Sequence, residues 1–271
     1  MYRRDRETRR QGDKETRRQG DKETTLFDWL YNVWMQSLFR YVAPASACGY
    51  LPRERWSLEY EMVANLAARE FEERLQEGWR RFGAMMFRPQ CPYCQACQTL
   101  RVEVAKFVPN RSQRRAWKAN DGLVEVRVGP PSVTREKLRL YDRFHEFQSD
   151  TKGWPEHPAK DAGSYRESFV NNPVFTQEWC YYIDGKLTGV GYADRLPASM
   201  SAIYFFYDPA GRDRSLGTFN VLCLLEECRR RQLTYLYLGY YVQGCRSLEY
   251  KGNFKPNQVR AGDGSWHDFL R

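Results

Sequence analysis

Thiols two residues apart can serve one ion, and this 271-residue chain has such a run. Cys91, Cys94 and Cys97 form C-P-Y-C-Q-A-C behind the Pro-containing approach Arg88-Pro89-Gln90, and Cys48 stands earlier beside Gly49. Two-residue gaps let neighbouring thiolates of a tight loop face a single ion, and a distant fourth Cys completes a tetrahedral or cluster site. Zinc and an iron-sulfur cluster use the same ligands, so the spacing leaves both open, with reduced thiols or a redox pair as the other reading. Cys180, Cys223, Cys228 and Cys245 are scattered singly and read as small buried hydrophobes.

A second kind of chemistry follows the cysteine loop. Residues 106–118 contain five cations (Lys106, Arg111, Arg114, Arg115, Lys118) and no acid, with Asn110, Ser112, Gln113 and Trp117 interleaved. Cations that grip phosphates, amides and hydroxyls that fix register, and an aromatic ring able to stack on a base make an RNA-contact surface. A solvated basic helix face is the plainer alternative.

These groups need a scaffold, and composition bounds it. With 42% hydrophobic and 15% aromatic residues the chain is too rich in core formers to be disordered throughout. No window approaches 18 uninterrupted apolar residues, so no spanning helix is expected. The formal charge of +9 suggests an anionic partner. Residues 1–24 carry nine cations against six anions, +3 of that charge, leaving +6 for the rest. Within them the octapeptide RRQGDKET occurs twice in succession; almost devoid of apolar residues, 1–24 is expected to be a disordered tail.

Residues 26–47 resemble the apolar part of a signal peptide, but Asp28, Asn32, Gln36 and Arg40 interrupt it every fourth position. That spacing predicts an amphipathic helix packed on its own domain, with a membrane-surface helix as the alternative, and no export. Further helices are expected over 58–79, stopped by Gly78, and over 133–147 behind Pro130-Pro131. A strand is expected over 101–108, and an irregular connection over 153–173. His145 and His157 have no ligand-like companion and read as surface or core histidines.

The second half has a clear order. Strands are expected over 178–184, 187–196 and 201–207, the first two joined at Asp184-Gly185-Lys186; a helix capped by Ser215 reaches about Gln232, and a strand covers 234–240. This β-β-β-α-β order resembles a GNAT-type acyltransferase core. An acetyl-CoA enzyme holds pyrophosphate on backbone amides at a helix N-terminus in a loop of the form [RQ]-x-x-G-x-[GA]. Arg214-Ser215-Leu216-Gly217-Thr218-Phe219 keeps the first half, and the ring of Phe219 is expected to obstruct the second. No acetyl-CoA is therefore expected.

Cys48-Gly-Tyr-Leu-Pro, Gly78-Trp-Arg-Arg-Phe-Gly83, the C-P-Y-C-Q-A-C loop and Asn110-Arg-Ser-Gln-Arg-Arg115 resemble the N-terminal domain of the aminoacyl-tRNA protein transferases of the N-degron pathway. Asp184-Gly-Lys-Leu-Thr-Gly-Val-Gly191, 204–209, Ser215-Leu-Gly-Thr218 and Tyr250-Lys-Gly-Asn-Phe-Lys-Pro256 resemble the C-terminal domain. The resemblance spans roughly residues 46–260. It implies transfer of an amino acid from charged tRNA to the N-terminal amine of a protein, and the compact length and C-x-x-C-x-x-C loop resemble the bacterial branch. Leucine from leucyl-tRNA joined to N-terminal Asp or Glu, marking proteins for degradation, is the implied activity; arginine is the alternative donor. A non-catalytic metal-stabilised RNA-binding module and a metabolite N-acetyltransferase are the readings from other classes. The implied partners are charged tRNA and proteins beginning with Asp or Glu, in the cytoplasm and with no membrane. The implied architecture is α+β: a tail over 1–24, a Cys-rich metal-binding domain over 25–130 holding zinc or an iron-sulfur cluster on Cys48, Cys91, Cys94 and Cys97, and a GNAT-like transferase domain over 131–271. Leu51 occupies the position of the second Cys of the eukaryotic C-x-x-C.

The chemistry so implied is undemanding. An aminoacyl ester is an activated carbonyl, and an α-amine with a pKa of about 7.7 is roughly one-sixth neutral at pH 7. Positioning, a carboxylate to orient the amine and donors for the tetrahedral oxyanion are sufficient. Asp194 and Asp208 are the candidate carboxylates; Tyr204, Tyr207, Tyr240 and Tyr241 are candidate donors. Lys251 is the preferred cation for an acceptor carboxylate, with Arg80 and Arg81 as alternatives. Arg111, Arg114, Arg115, Trp117 and Lys118 are the expected tRNA contacts.

Overall fold

The computed structural model describes residues 35–156 and 158–269, and from Gln36 onward they form one compact unit. No helix among them is long and apolar enough to cross a membrane. β1 (Gln36–Val42), β4 (Leu58–Ala64), β6 (Met85–Pro89) and β5 (Arg80–Phe82) pair antiparallel in the order β1-β4-β6-β5, while β2 (Ser46–Ala47) and β3 (Arg55–Trp56) form a two-stranded ribbon.

One expected helix contains a strand here, and another divides into a strand and a shorter helix. Polar residues four apart share one face of a strand as well as of a helix, and Gln36 and Arg40 lie on β1. Pairing with β4 decides the matter: Arg40 forms an ion pair with Glu59, and Tyr41 stacks on Tyr60 at 5.3 Å. Residues 26–34 of that expected helix, the tail 1–24 and His157 lie outside the described residues. Over 58–79 the helical signal covers a strand followed by the shorter helix α1 (Ala68–Gln76). The alternation along β4 is inverted, since Glu59, Glu61 and Val63 are its buried residues. Arg40 and Arg88 neutralise Glu59, and Arg74 neutralises Glu61. The same three arginines lie 5.4, 4.7 and 5.4 Å from the ring of the buried Trp79.

The remaining strands make one eight-stranded sheet. Its order is β14 (Trp266–Asp268), β13 (Asn257–Arg260), β7 (Gln98–Glu103), β12 (Tyr235–Tyr241), β11 (Ser199–Tyr207), β10 (Lys186–Arg195), β9 (Thr176–Ile183), β8 (Glu125–Gly129). Residues before position 130 thus contribute β7 and β8 to the same sheet as the strands that follow it. The expected strand over 101–108 begins earlier and stops at Glu103, where a 3-10 turn, Val104–Lys106, follows.

Helices cover both faces. α2 (Arg111–Asn120) begins with a reciprocal cap: Gln113 N–H donates to Asn110 Oδ1 at 2.9 Å, and Asn110 N–H to Gln113 Oε1 at 2.8 Å. α3 (Arg135–Lys152) starts at the Thr134 cap and ends at Gly153, whose φ of 67° is the left-handed C-terminal turn. The connection over 153–173 is not wholly irregular; α4 (Ala162–Tyr165), capped by Asp161, runs into a π-helical turn, Arg166–Val170. α5 (Leu216–Arg230) buries Phe219, Leu222 and Leu225 against Leu100, Val102 and Leu236. Leu140, Phe144, Tyr165 and Phe206 form another cluster. Along β9, Trp179 and Tyr181 belong to the first cluster and Cys180 to the second, so the clusters occupy opposite faces of the sheet.

One feature of the sheet makes room for a site. β11 and β12 are parallel neighbours, yet they pair only from Ser199 to Ser201 against Tyr235 to Tyr237. Beyond that point they diverge, β11 to Tyr207 and β12 to Tyr241. Arg80 enters the opening, donating to Ser201 Oγ at 3.0 Å and to the Ala202 carbonyl. Gly239, at φ 79°, allows this approach: a Cβ there would stand 3.4 Å from the Arg80 guanidinium.

Candidate active site

A cavity of about 480 Å³ opens beside the divergent end of β11, between the last two turns of α3, the start of α5 and the segment after β12. Its wall mixes apolar groups, among them Ile203, Val221 and Leu238, with tyrosines. Four cations line it (Lys152, Arg212, Arg246 and Lys251), and no Asp, Glu or His among the described residues does. Lys152, Arg212 and Arg246 are exposed, whereas Lys251 is partly buried. Lys251 Nζ donates to the Tyr240 carbonyl at 3.2 Å. Burial first, and then the nearby charge of Arg80, push its pKa down to about 7.

Of the expected catalytic residues, Lys251 and Tyr204 lie on this wall and the two carboxylates do not. Asp194 is completely buried and committed to Arg81, whose Nε donates to Asp194 Oδ2 at 3.0 Å. Arg81 also donates to the Gly83 carbonyl, Asn172 and Thr176, so the pair is a closed structural knot and neither member is free for a substrate. Asp208 accepts from the Ala210 amide and pairs with Lys186 at 3.0 Å and Arg143 at 3.5 Å. Burial alone would raise its pKa, but the Lys186 hydrogen bond, the Ala210 amide and Arg143 together hold it below the usual carboxylate range. Of the other tyrosines, Tyr207 lines the cavity, Tyr240 gives its hydroxyl hydrogen to the Gly78 carbonyl at 3.0 Å, and Tyr241 is buried against Phe269.

The hydrogen on Tyr204 is also assigned. His145 Nδ1 lies 2.8 Å from the Tyr141 carbonyl, which can only accept, so Nδ1 carries the hydrogen. In the neutral ring Nε2 is then an acceptor, and it takes the Tyr204 hydroxyl at 2.8 Å. Burial raises the Tyr204 pKa well above its ordinary value. His145 is thus tied to the cavity wall. The available signal was spacing: Phe144, Gln148 and Lys152 on α3 line the cavity, and His145 lies within the same helical stripe.

The start of α5 corrects another expectation. Phe219 points into the core, packed 5.4 Å from Trp117 and 6.1 Å from Tyr181, so its ring does not obstruct the helix N-terminus. Ser215, Gly217 and Thr218 line the cavity instead.

On α2, Arg111, Arg114, Arg115 and Lys118 are exposed. Trp117 is half-buried between α2 and α5, packed 5.4 Å from Phe219, and also lines a depression with Arg114 and Arg229.

The four cysteines are free and partly exposed. Cys91, Cys94 and Cys97 line one depression, and Cys48 Sγ accepts from the amides of Tyr50 and Leu51 at 3.4 Å each. Burial, and then the nearness of Cys91, Cys48 and Cys94, push the Cys97 thiol up to about 12. Among the described residues no group of three or more His, Cys, Asp or Glu is assembled to hold a metal ion. The thiols are neighbours without forming a closed coordination shell.

Comparison with known proteins places this geometry. Residues 46–115 match the family model of the N terminus, and residues 136–261 that of the C terminus, of arginine-tRNA-protein transferase. The aspartate/glutamate leucyltransferase of Aeromonas salmonicida (strain A449) is 37% identical over 227 residues, 83% of this chain and 92% of that protein. The aspartate/glutamate leucyltransferase of Campylobacter jejuni subsp. jejuni serotype O:23/36 (strain 81-176) is 35% identical over 218 residues, 79% of this chain and 90% of that protein. Among solved structures, the crystal structure of FemX superposes with a TM-score of 0.50 over 86% of this chain and 88% of that chain at 7% identity, a likeness of fold alone.

Proposed function

The chain belongs to the arginine-tRNA-protein transferase family, and we propose that it moves leucine from leucyl-tRNA onto the N-terminal amine of proteins that begin with Asp or Glu, marking them for degradation. The observation that carries this choice of substrates is the sign of the cavity wall, four cations and no carboxylate among the described residues. A donated arginine would bring a guanidinium into a cationic space whose described wall residues include no carboxylate, at a cost in desolvation and like-charge repulsion. A leucyl side chain meets Ile203, Val221 and Leu238 without such a cost.

The cations divide between the two substrates. Lys251, the inner one, suits the side-chain carboxylate of the acceptor's first residue. Lys152, Arg212 and Arg246 at the mouth suit the phosphates of the tRNA end, and Arg111, Arg114, Arg115 and Lys118 on α2 its more distant backbone. The order β9-β10-β11-α5-β12 and the divergence of β11 from β12 support a GNAT-like core. In it an aminoacyl ester, rather than acetyl-CoA, is the donor. A charged-tRNA donor supports a cytoplasmic location.

The cysteines belong to the same proposal. Cys48, Cys91, Cys94 and Cys97 are the ligands for zinc or an iron-sulfur cluster; the depression shared by Cys91, Cys94 and Cys97 and the two amides aimed at Cys48 Sγ support that reading.

Incubating a peptide that begins with Asp with leucyl-tRNA and, separately, with arginyl-tRNA tests the function. A mass increase of one leucyl residue is expected, and no addition from either tRNA would overturn the proposal.

A further inference from the structure

Attack of an amine on an ester releases a proton that has to go somewhere. The cavity wall carries no Asp, Glu or His among the described residues, and Lys251 is the wrong form for the task when it holds an acceptor carboxylate, because that role requires it protonated. One route leads from the wall to a basic nitrogen. Tyr204 lines the cavity and gives its hydrogen to His145 Nε2 at 2.8 Å, and the Tyr141 carbonyl holds the opposite nitrogen as the N–H form. A phenol oxygen whose own hydrogen is already given away presents a lone pair to an incoming N–H. The rings of Tyr141 and Phe144 pack on His145 with centroids 3.9 and 5.4 Å away, which fixes its orientation.

We propose that Tyr204 and His145 form the proton path of the transfer reaction, a role that rests on the aminoacyl transfer proposed above. The amine lone pair attacks the ester carbonyl carbon and a C–N bond forms. One N–H proton passes to Tyr204 Oη while the Tyr204 hydrogen passes to His145 Nε2, leaving an imidazolium. As the tetrahedral intermediate collapses, the C–O bond to the terminal ribose oxygen breaks with its electron pair on that oxygen. The proton returns along the same path to give the free ribose hydroxyl and neutral His145. Atoms and charge balance with no further reagent. Tyr204 touches the substrate; His145 acts through it.

Single-turnover transfer of leucine to an Asp-initiated peptide tests the path with wild type, Tyr204→Phe, His145→Gln and the double variant. Glutamine still accepts a hydrogen bond from Tyr204 but takes no proton, and Tyr204→Phe removes one oxygen while keeping the ring; melting temperature and leucyl-tRNA binding report that each variant is intact. Each single variant is expected to lower the saturated rate by on the order of 10²-fold to 10⁴-fold. Peptide KM should stay within about threefold, and the double variant should lose no more than the worse single one, since both groups handle one proton. A single variant within about threefold of the wild-type rate, or a double variant showing the product of the two losses, would overturn the path. If His145→Gln does not fold, Tyr204→Phe alone decides. Absence of product from wild type is a different outcome: it removes the proposed function, and the path with it.

Discussion

The ammonium of Lys251 stands in the charge field of the Arg80 guanidinium, and among the described residues neither cation has a carboxylate ion-pair partner. Arg80 is anchored instead to Ser201 and Ala202 in the opening between β11 and β12, and Lys251 to the Tyr240 carbonyl. Two like charges held together by the fold constitute an electrostatic strain that an anionic ligand relieves. Replacing Lys251 by Met should therefore raise KM for Asp- and Glu-initiated peptides by about 10-fold to 150-fold, the loss of a charge-assisted hydrogen bond of about 1.5–3 kcal/mol, with a much smaller change in kcat. Steady-state kinetics with both peptides checks this.

The depressed pKa of Lys251 has a pH signature. In the free enzyme only the protonated amine attracts a carboxylate, so acceptor affinity is full below about pH 7 and falls as the pH rises through that value. The attacking α-amine, with a pKa of about 7.7, loses reactivity in the opposite direction. The kcat/KM for peptide should pass through a narrow maximum between these two values. Lys251→Arg keeps its charge to high pH and should flatten the alkaline limb. A pH profile of both enzymes shows whether it does.

Asp194→Asn should act through stability. It removes one partner of the Arg81 pair, whose side chains are 1% and 0% exposed, and leaves a guanidinium buried without its counter-charge. A loss of about 3–5 kcal/mol is expected. Urea denaturation measures it. If the variant were as stable as wild type but inactive, Asp194 would be a substrate-binding group after all.

Charge removal on α2 should weaken tRNA binding in a salt-dependent way. Changing Arg111, Arg115 and Lys118 together to Gln should lower affinity most at low salt and flatten the plot of log K against log salt by about 2 units if each cation meets a phosphate of a single-stranded segment. Trp117→Ala should instead lower the melting temperature, because its ring fills the space beside Phe219. Filter binding and thermal melting separate the two effects.

Metal content tests the thiols. Cys94→Ser should lower bound zinc or iron together with melting temperature, and equal metal content in variant and wild type would remove the proposed site.

The sequence made some of this legible. The strands of the second half carried near-continuous runs of apolar, small and aromatic residues broken by turn residues at Asp184-Gly185, as in strands covered on both faces, and the helix carried inward Phe219, Leu222 and Leu225, so local pattern and tertiary burial agreed. The first half misled because charges face inward: Glu59 and Glu61 are buried on β4 only because Arg40, Arg74 and Arg88 come from other elements to neutralise them. β8 alternates in Glu125-Val126-Arg127-Val128, but the run is short and lies at the sheet edge with only Val126 partly covered, so it does not stand out in the sequence. At the site, Lys251 and Tyr204 were found from residue type and motif. The commitment of Asp194 to Arg81 depends on two segments 113 positions apart, and no local pattern encodes it. The same holds for His145, which acquires its meaning from Tyr204, 59 positions later.

The most direct test of the substrate assignment is a competition. An equimolar mixture of leucyl-tRNA and arginyl-tRNA is given to the enzyme with one peptide beginning with Asp and a matched peptide beginning with Asn, and the products are counted by mass. A cationic cavity with no carboxylate on its wall among the described residues predicts leucyl-Asp peptide as the dominant product and little addition to the Asn peptide. Dominant arginyl addition, or equal use of the Asp and Asn peptides, would contradict it.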